Sequence, residues 1–137
     1  MKTKFLDHQN SEDLGLMVSF FKNEKNKSEN FRYFDSRPFE IIENHLVTIL
    51  FILEDDIVGY GHLDVEDDVV WLGIIVSENY RGIGYGKKII EELIKHYDGD
   101  IQLSVDKHNQ NAINLYKKFN FSIFRENKSN FIMKLIK

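Results

Sequence analysis

The spacing of hydrophobic positions in the first third of the chain predicts a short strand followed by a helix. Residues 3–6 predict a short opening strand. Apolar residues then recur at helical spacing over residues 12–22, and Ser11 stands where an N-cap is expected. The polar stretch 23–30 predicts a loop.

From residue 45 onward the pattern changes to strands. Three apolar runs cover residues 45–53, 57–65 and 69–76, and short acidic turns separate them. Strands joined by such short turns pair antiparallel. This part of the sequence therefore predicts a three-strand meander.

The second half of the chain mixes helices and strands. The predicted elements are a helix over 87–97 that Gly99 ends, a strand over 101–105, a helix over 109–119, and two closing strands over 122–126 and 131–136. This order predicts one α/β (α+β) domain over residues 1–137, with a mixed, mostly antiparallel sheet of six to seven strands and about four flanking helices.

Composition removes several classes of function. The net charge is −4 and the basic residues are spread along the chain, which disfavours general binding to nucleic acid. Cys is absent, so disulfides, a thiolate nucleophile and Cys-ligated zinc are excluded. The five His residues show no metal-ligand spacing, so no metal is predicted. No apolar run approaches the ~18 residues that span a bilayer, so no membrane association is predicted and a cytoplasmic location is expected.

A glycine-rich loop at residues 81–87 lies between an apolar strand and an amphipathic helix. Glycines let the backbone approach a ligand closely, and the free amides of a helix start point at anions, so the loop predicts a phosphate site. The residues expected to hold it are Arg81, Gly82, Ile83, Gly84, Tyr85, Gly86 and Lys87.

Three other interpretations of this loop make different demands on its sequence. A Walker A loop needs Ser or Thr after Gly-Lys, and Lys88 stands there instead. A dinucleotide fingerprint needs G-x-G-x-x-G after a parallel unit, whereas this loop reads G-x-G-x-G after a meander, although Asp106 lies where a ribose-binding acid is expected. A plain tight turn is the remaining alternative.

Two segments carry a family resemblance. Residues 81–86 match the R/Q-x-x-G-x-G/A signature of the GNAT N-acetyltransferases, and residues 109–121 resemble that family's N-x-x-A-x-x-L-Y-x-K-x-G-F segment. The resemblance covers residues 46–121 and departs at Asn120, where the family has glycine. Asn tolerates the left-handed conformation of a helix end, so the same fold is expected.

The resemblance implies a transferase in which an amine attacks the thioester of acetyl-CoA directly, with acetyl-CoA as co-substrate. The backbone of Ile74 and Val76 would pair with the pantetheine arm, and the loop amides would hold the pyrophosphate. Asn109 would bond the pantetheine or the phosphate region. Tyr116 occupies the position of the family's general acid and of a cofactor contact; the alternative is a tyrosine of the core.

The candidates for the general base lie at the strand over residues 57–65 and the turn after it. No acid lies within residues 69–76, whereas alternation places His62, Asp64 and Glu66 on one face of the neighbouring strand, with Tyr60 beside them. His62 has the most suitable ordinary pKa and is the candidate base, although a lone strand histidine is more often structural.

The acceptor is predicted to be a small-molecule amine. Residues 31–39 combine aromatic and basic side chains, as in a wall of a binding site or a short helix packed on the core. Arg32, Tyr33, Arg37 and Asp64 are the predicted acceptor contacts. Two arginines suit an anionic acceptor such as a nucleotide-linked amino sugar or an amino acid, whereas the acidic turns favour a cationic amine.

Two alternative functions and the oligomeric state remain open from the sequence. A protein N-acetyltransferase and a non-catalytic acetyl-CoA-binding sensor or partner subunit would share the fold. Relatives that pair through their closing strands imply a homodimer formed by residues 121–136.

Overall fold

The strands and helices follow the predicted order. The computed structural model describes residues 1–23 and 30–137, so most of the loop predicted at 23–30 lies outside the described residues. The strands are β1 (Lys2–Phe5), β2 (His45–Leu53), β3 (Asp56–Glu66), β4 (Val69–Val76), β5 (Ile101–Asp106), β6 (Ser122–Glu126) and β7 (Asn130–Leu135). The α-helices described are α1 (Ser11–Lys22), α2 (Tyr85–Ile94) and α3 (Gln110–Lys118), with 3-10 helices at Tyr33–Asp35, Phe39–Asn44 and Glu78–Tyr80.

The seven strands form one sheet in the order β1-β2-β3-β4-β5-β7-β6. Every neighbouring pair is antiparallel except β4 and β5, which run parallel. These two strands are in register only at Val70 opposite Ile101 and at Trp71 opposite Gln102. Beyond Trp71, β4 therefore leaves its neighbour, and the predicted mixed, mostly antiparallel sheet is confirmed.

One face of the sheet is covered by α2 and α3. Ile89 and Leu93 of α2 are fully buried in this core, together with Leu63 of β3. The helix lies so close to β3 that a Cβ atom on Gly61 would come within 2.9 Å of both helical side chains. Glycine at this position is therefore what lets α2 pack on the middle of the sheet.

The opposite face is covered by α1 and by residues 31–44. Met17 and Phe20 of α1 pack on Tyr60 of β3 in a second core. The rings of the 31–39 segment join this core, as the sequence suggested; they are Phe31, Phe34 and Phe39. The same segment closes one side of the cavity described below.

The predicted start of α1 and both predicted ends of α2 were wrong. Helix α1 is capped by Asn10, whose side-chain oxygen accepts from the Glu12 and Asp13 amides, and Ser11 is already helical. Helix α2 begins at Tyr85 because Gly84, at φ 98°, is its N-cap, and it ends at Ile94. Gly99 does not end that helix; it lies against the ring of Tyr97, which a Cβ atom would approach to 2.7 Å.

The end of α3 is as predicted. Asn120 follows it with φ 71°, the left-handed conformation that the family's glycine would adopt. Among the described helices, none has the length and apolar character needed to cross a membrane.

Candidate active site

A cavity of about 450 Å³ opens on the face of the sheet away from α2 and α3. Residues of β3 and β4 that are direct partners form its floor, with His62 opposite Gly73, Asp64 opposite Trp71 and Glu66 opposite Val69. Residues 31–39, called the covering segment below, add three predicted acceptor residues, which are Arg32, Tyr33 and Arg37. The structure thus brings His62 and all four predicted acceptor contacts into one cavity.

A directed chain of hydrogen bonds ends on Asp64. Tyr33 Oη donates to Asp64 Oδ2 over 2.7 Å and contacts His45 Nε2 at 2.8 Å. Because the phenol proton goes to the carboxylate, His45 Nε2 must carry a hydrogen and donate to Tyr33, and His45 Nδ1 accepts from Thr48 Oγ1 at 2.8 Å. Burial, reinforced by the bond to Asp64, raises the pKa of Tyr33 well above its usual range, so the phenol remains a donor.

The second carboxylate oxygen of Asp64 is available to a ligand. Asp64 is only 3% exposed, yet Oδ1 has no hydrogen-bond partner among the described residues and is not sealed from the cavity. A nearly buried carboxylate with an open oxygen is a strong site for an ammonium group, because the pair is little screened by solvent.

Both predicted anion-binding arginines are already paired with acids. Arg32 makes two bonds to Asp106, of 3.0 and 2.7 Å, and this contact holds the pKa of the Asp106 carboxyl below its usual range. Arg37 lies 4.4 Å from the centre of the Tyr33 ring and contacts Glu66 at 3.3 Å.

The cavity lining is therefore acidic, whereas Arg32 and Arg37 alone suggested a site for an anion. Four carboxylates, Asp64, Glu66, Asp67 and Asp106, line the cavity with two guanidinium groups. The excess of two negative charges favours a cationic ligand, and the basis for an anionic acceptor is weakened.

His62 is a neutral histidine at the cavity floor. It is 2% exposed, and its Nδ1 lies 2.6 Å from the hydroxyl of Tyr60. Burial lowers the pKa of His62 well below its usual value, and His45 and Arg37 lower it further. The imidazole is therefore uncharged near neutral pH.

The glycine loop has the backbone of an anion site. Gly82 and Gly84 have φ of 79° and 98°, the left-handed region in which side chains are strained. No side chain caps the start of α2, so the amides of its first turn remain free for a ligand, and Lys87 and Lys88 are exposed beside them. This backbone geometry can accept an anion, and the pyrophosphate contact stays a prediction; Ile83 is 66% exposed and offers only its backbone.

The backbone beyond Trp71 has an unpaired edge. The Ser77 amide donates to the Val58 carbonyl on the β3 side, so alternation directs the polar groups of Ile74 and Val76 to the opposite side, where β5 diverges. Val76 O accepts from Arg81 Nε at 2.8 Å, so Arg81 anchors the loop to β4. The backbone of Ile74 remains at an edge that an extended ligand arm could pair with.

Two predicted residues on α3 have partly structural roles. Asn109 is the N-cap, and its side-chain oxygen accepts from the Ala112 amide at 3.4 Å. The ring of Tyr116 is buried against Phe121 in the α2 and α3 core, and burial raises the pKa of its phenol above the usual range. Its hydroxyl bonds no described residue and is not sealed from solvent.

Sequence reasoning missed three contributors to this site. Trp71 lines the cavity, and His45 and Thr48 direct Tyr33 towards Asp64. Trp71 could have been found, since the two-residue turn after Glu66 fixes the pairing of Asp64 with Trp71. Within residues 1–23 and 30–137, no group of three His, Cys, Asp or Glu side chains could hold a metal ion.

The buried histidines predict a loss of stability in mild acid. Burial lowers the pKa of His45 to about 4 and also lowers that of His62 well below its usual value, whereas in the unfolded chain both have ordinary values near 6.5. Below pH 6.5 the unfolded chain binds more protons, so the stability present above pH 6.5 falls as the pH decreases towards 4. Between pH 7.5 and 5.5, His45 alone should cost about 1.4 kcal/mol of unfolding free energy.

Urea denaturation of the wild type and of His45→Gln at these two pH values measures the effect. The variant should lose about 1.4 kcal/mol less than the wild type over the same interval. His8→Gln, at an exposed position, is the control and should follow the wild type. Equal pH dependence in His45→Gln and wild type would contradict the interpretation.

Comparison with known proteins gives one family match and several similar structures. The model of the acetyltransferase (GNAT) family matches residues 14–121. A spermine/spermidine N(1)-acetyltransferase of Bacillus subtilis (strain 168) is 34% identical over 82 residues, which cover 50% of this chain and 54% of that relative. The chain therefore matches about half the length of this curated relative.

Solved structures show the same fold at low identity. A GNAT-family acetyltransferase from Streptococcus pneumoniae superposes with a TM-score of 0.78 at 20% identity, covering 99% of both chains. A putative acetyltransferase from Salmonella typhimurium, solved with its cofactor acetyl-CoA, gives 0.75 at 13% identity, covering 99% of this chain and 93% of that one.

Proposed function

This chain belongs to the acetyltransferase (GNAT) family, and we propose that it transfers the acetyl group of acetyl-CoA to a primary amine of a small polycationic acceptor of the polyamine class. The observation that carries the acceptor class is the acid-rich cavity with Asp64 at its floor. The relative named as a spermine/spermidine N(1)-acetyltransferase supports the same class.

The loop and the edge of β4 would hold acetyl-CoA, which supplies an activated acetyl thioester. The first-turn amides of α2, with Gly82 and Gly84 in left-handed conformations, would bind the pyrophosphate. The backbone of Ile74 would pair with the pantetheine arm, because β5 leaves β4 beyond Trp71. The side-chain oxygen of Asn109 caps α3, and its amide group, which has no partner among residues 1–23 and 30–137, would make a further contact.

The cavity suits an acceptor with ammonium groups spaced along an apolar chain. Asp64 would bind the ammonium that reacts, and Asp67 at the exposed side of the cavity would bind the next one. Trp71 and Phe31 supply aromatic faces for the methylene groups and for cation–π contact. Arg32 and Arg37 are held by Asp106 and Glu66, so the charges of Asp64 and Asp67 remain uncompensated among the described residues of the lining.

The proton balance assigns roles to two residues. The acceptor must lose a proton before its nitrogen can attack, and Asp64 is placed to receive it. As the nitrogen–carbon bond forms and the carbon–sulfur bond breaks, the departing sulfur takes a proton from the Tyr116 hydroxyl, and the second proton that the nitrogen releases restores that hydroxyl through solvent. Asp64 then releases its own proton to solvent. The sum is an amide, the free thiol of coenzyme A and one proton.

An acceptor screen with the purified protein and acetyl-CoA tests this function. Coenzyme A release would be followed with spermidine, spermine, glucosamine 6-phosphate, glutamate and a peptide with a free amino terminus. We expect kcat/KM for spermidine to exceed that for either anionic acceptor at least ~100-fold, since the anions face unpaired carboxylates.

Other outcomes of this screen, and unfolding temperatures measured with acetyl-CoA and with NAD, would favour other functions. A preference for the phosphorylated sugar or for the peptide would overturn the polyamine class. A rise in unfolding temperature with acetyl-CoA but no turnover of any amine would instead favour a non-catalytic acetyl-CoA-binding protein. A rise with NAD alone would argue for the dinucleotide interpretation.

A further inference from the structure

The hydroxyl of Tyr60 fixes which nitrogen of His62 carries the hydrogen. Tyr60 is 0% exposed, and His62 Nδ1, at 2.6 Å, is the one acceptor its hydroxyl has among the described residues. A buried hydroxyl hydrogen without an acceptor costs about 1–3 kcal/mol. Tyr60 therefore donates to Nδ1, and the neutral imidazole carries its own hydrogen on Nε2.

The Nε2 hydrogen faces the cavity. His62 lines the cavity, and Nε2 has no partner within the described part of the chain but is not sealed from solvent. It lies over Gly73, where a Cβ atom would come within 2.5 Å of it. Gly73 is two residues beyond the last pair of β4 with β5, next to Ile74, whose backbone edge is unpaired.

This arrangement is poorly suited to a general base. The lone pair of Nδ1 is occupied by Tyr60, and Nε2 already holds a hydrogen. Taking up a proton would require both nitrogens to be donors and would break a buried hydrogen bond. A neutral imidazole held as a donor is, in contrast, well suited to an oxygen on which negative charge develops.

We propose that His62 acts in acetyl transfer as a fixed hydrogen-bond donor, through Nε2–H, to the carbonyl oxygen of the acetyl group, and that Tyr60 is the positioning residue that holds it in this tautomer. The inference rests on the proposed function and assigns His62 a role other than that of base. Of the two reacting groups, the amine has no oxygen atom, so the acetyl carbonyl is the one that can accept this bond. His62 keeps its hydrogen throughout, and the amine proton goes to Asp64.

The tautomer is measured directly by nitrogen-15 NMR of the ligand-free protein. Ring nitrogens with and without a hydrogen have well-separated chemical shifts, and exposed His8 provides a solvent reference. We expect His62 to show a hydrogen on Nε2 and a bare Nδ1 at neutral pH, and Tyr60→Phe to lose this single tautomer. A hydrogen on Nδ1 in the wild type would overturn the proposal whatever the protein catalyses.

Kinetics with spermidine separate a donor from a base. His62→Ala should lower kcat about 100- to 1000-fold, as removal of one donor to a developing oxyanion does. His62→Gln, whose amide can donate but cannot take up a proton, should remain within about tenfold of the wild type. If Gln is as inactive as Ala while both variants remain folded, the donor role is wrong.

The pH profile gives a second kinetic readout. The groups facing His62 are Tyr60 and Asp64 of β3, His45 of β2, and Tyr33 and Arg37 of the covering segment. If His62 were the base, His62→Gln would remove a limb of the profile; as a donor, it leaves the shape unchanged. Absence of transfer in the wild type would overturn the proposed function, and the NMR result would still stand on its own.

Discussion

Replacing Asp64 with Asn is expected to lower kcat/KM for spermidine by about 100- to 1000-fold. Asp64 is nearly buried, and removal of one partner from a buried charge pair costs about 3–5 kcal/mol. The Asn side chain has the same size and can still accept from the Tyr33 hydroxyl, so the change removes charge and basicity but preserves shape. The effect should appear in both KM and kcat, because the carboxylate binds the ammonium and then receives its proton.

The matched control for this variant is Asp68→Asn. Asp68 is an exposed turn residue with φ 62°, a conformation that Asn also tolerates, and the change alters the net charge equally. It should leave kcat/KM within about threefold, since screened surface charges contribute little. An Asp64→Asn enzyme that is folded and within threefold of wild type would remove Asp64 from the mechanism.

The meander and the glycine loop could be predicted from sequence because their signals are local. β2 and β4 have the predicted bounds, since apolar runs end at acidic turns whose residues adopt left-handed conformations; Asp67 and Asp68 have φ of 53° and 62°. Alternation alone placed His62 and Asp64 on one face of β3, and the register with β4 confirms it.

The charge of the cavity could not be predicted in the same way. Arg32 and Asp106 are 74 residues apart, and nothing local indicates that they pair. Considered singly, Arg32 and Arg37 each suggest an anionic ligand. Once each is paired with a carboxylate, the cavity lining keeps a net negative charge. The substrate class therefore depends on tertiary contacts, whereas the co-substrate depends on a loop that a sequence motif can describe.

The role of His62 shows the same limit at the level of single atoms. Its ordinary pKa favours a base, and the i,i+2 spacing from Tyr60 correctly places the two side chains together. Only burial of the phenol makes its donation to Nδ1 obligatory, and burial is a property of the packed α1 and 31–39 segment. The proposed donor role of His62 therefore rests on packing that its residue type does not indicate.

Replacing Tyr116 with Phe is expected to lower kcat about 100- to 1000-fold and to leave acetyl-CoA binding unchanged. A positioned general acid contributes about 10²- to 10⁴-fold, and this hydroxyl is the proposed proton source for the departing sulfur. Because burial raises the pKa of Tyr116, the phenol stays protonated, and kcat of the wild type should not fall between pH 7 and 9 through its ionisation.

The structure makes this variant a clean test of catalysis against packing. The ring packs on Phe121, and the hydroxyl bonds no described residue, so Phe should preserve the core and the rise in unfolding temperature with acetyl-CoA. Tyr97→Phe is the control, being a half-buried tyrosine outside the proposed site. If Tyr116→Phe turns over spermidine as fast as this control, Tyr116 is a core residue and the sulfur takes its proton from water.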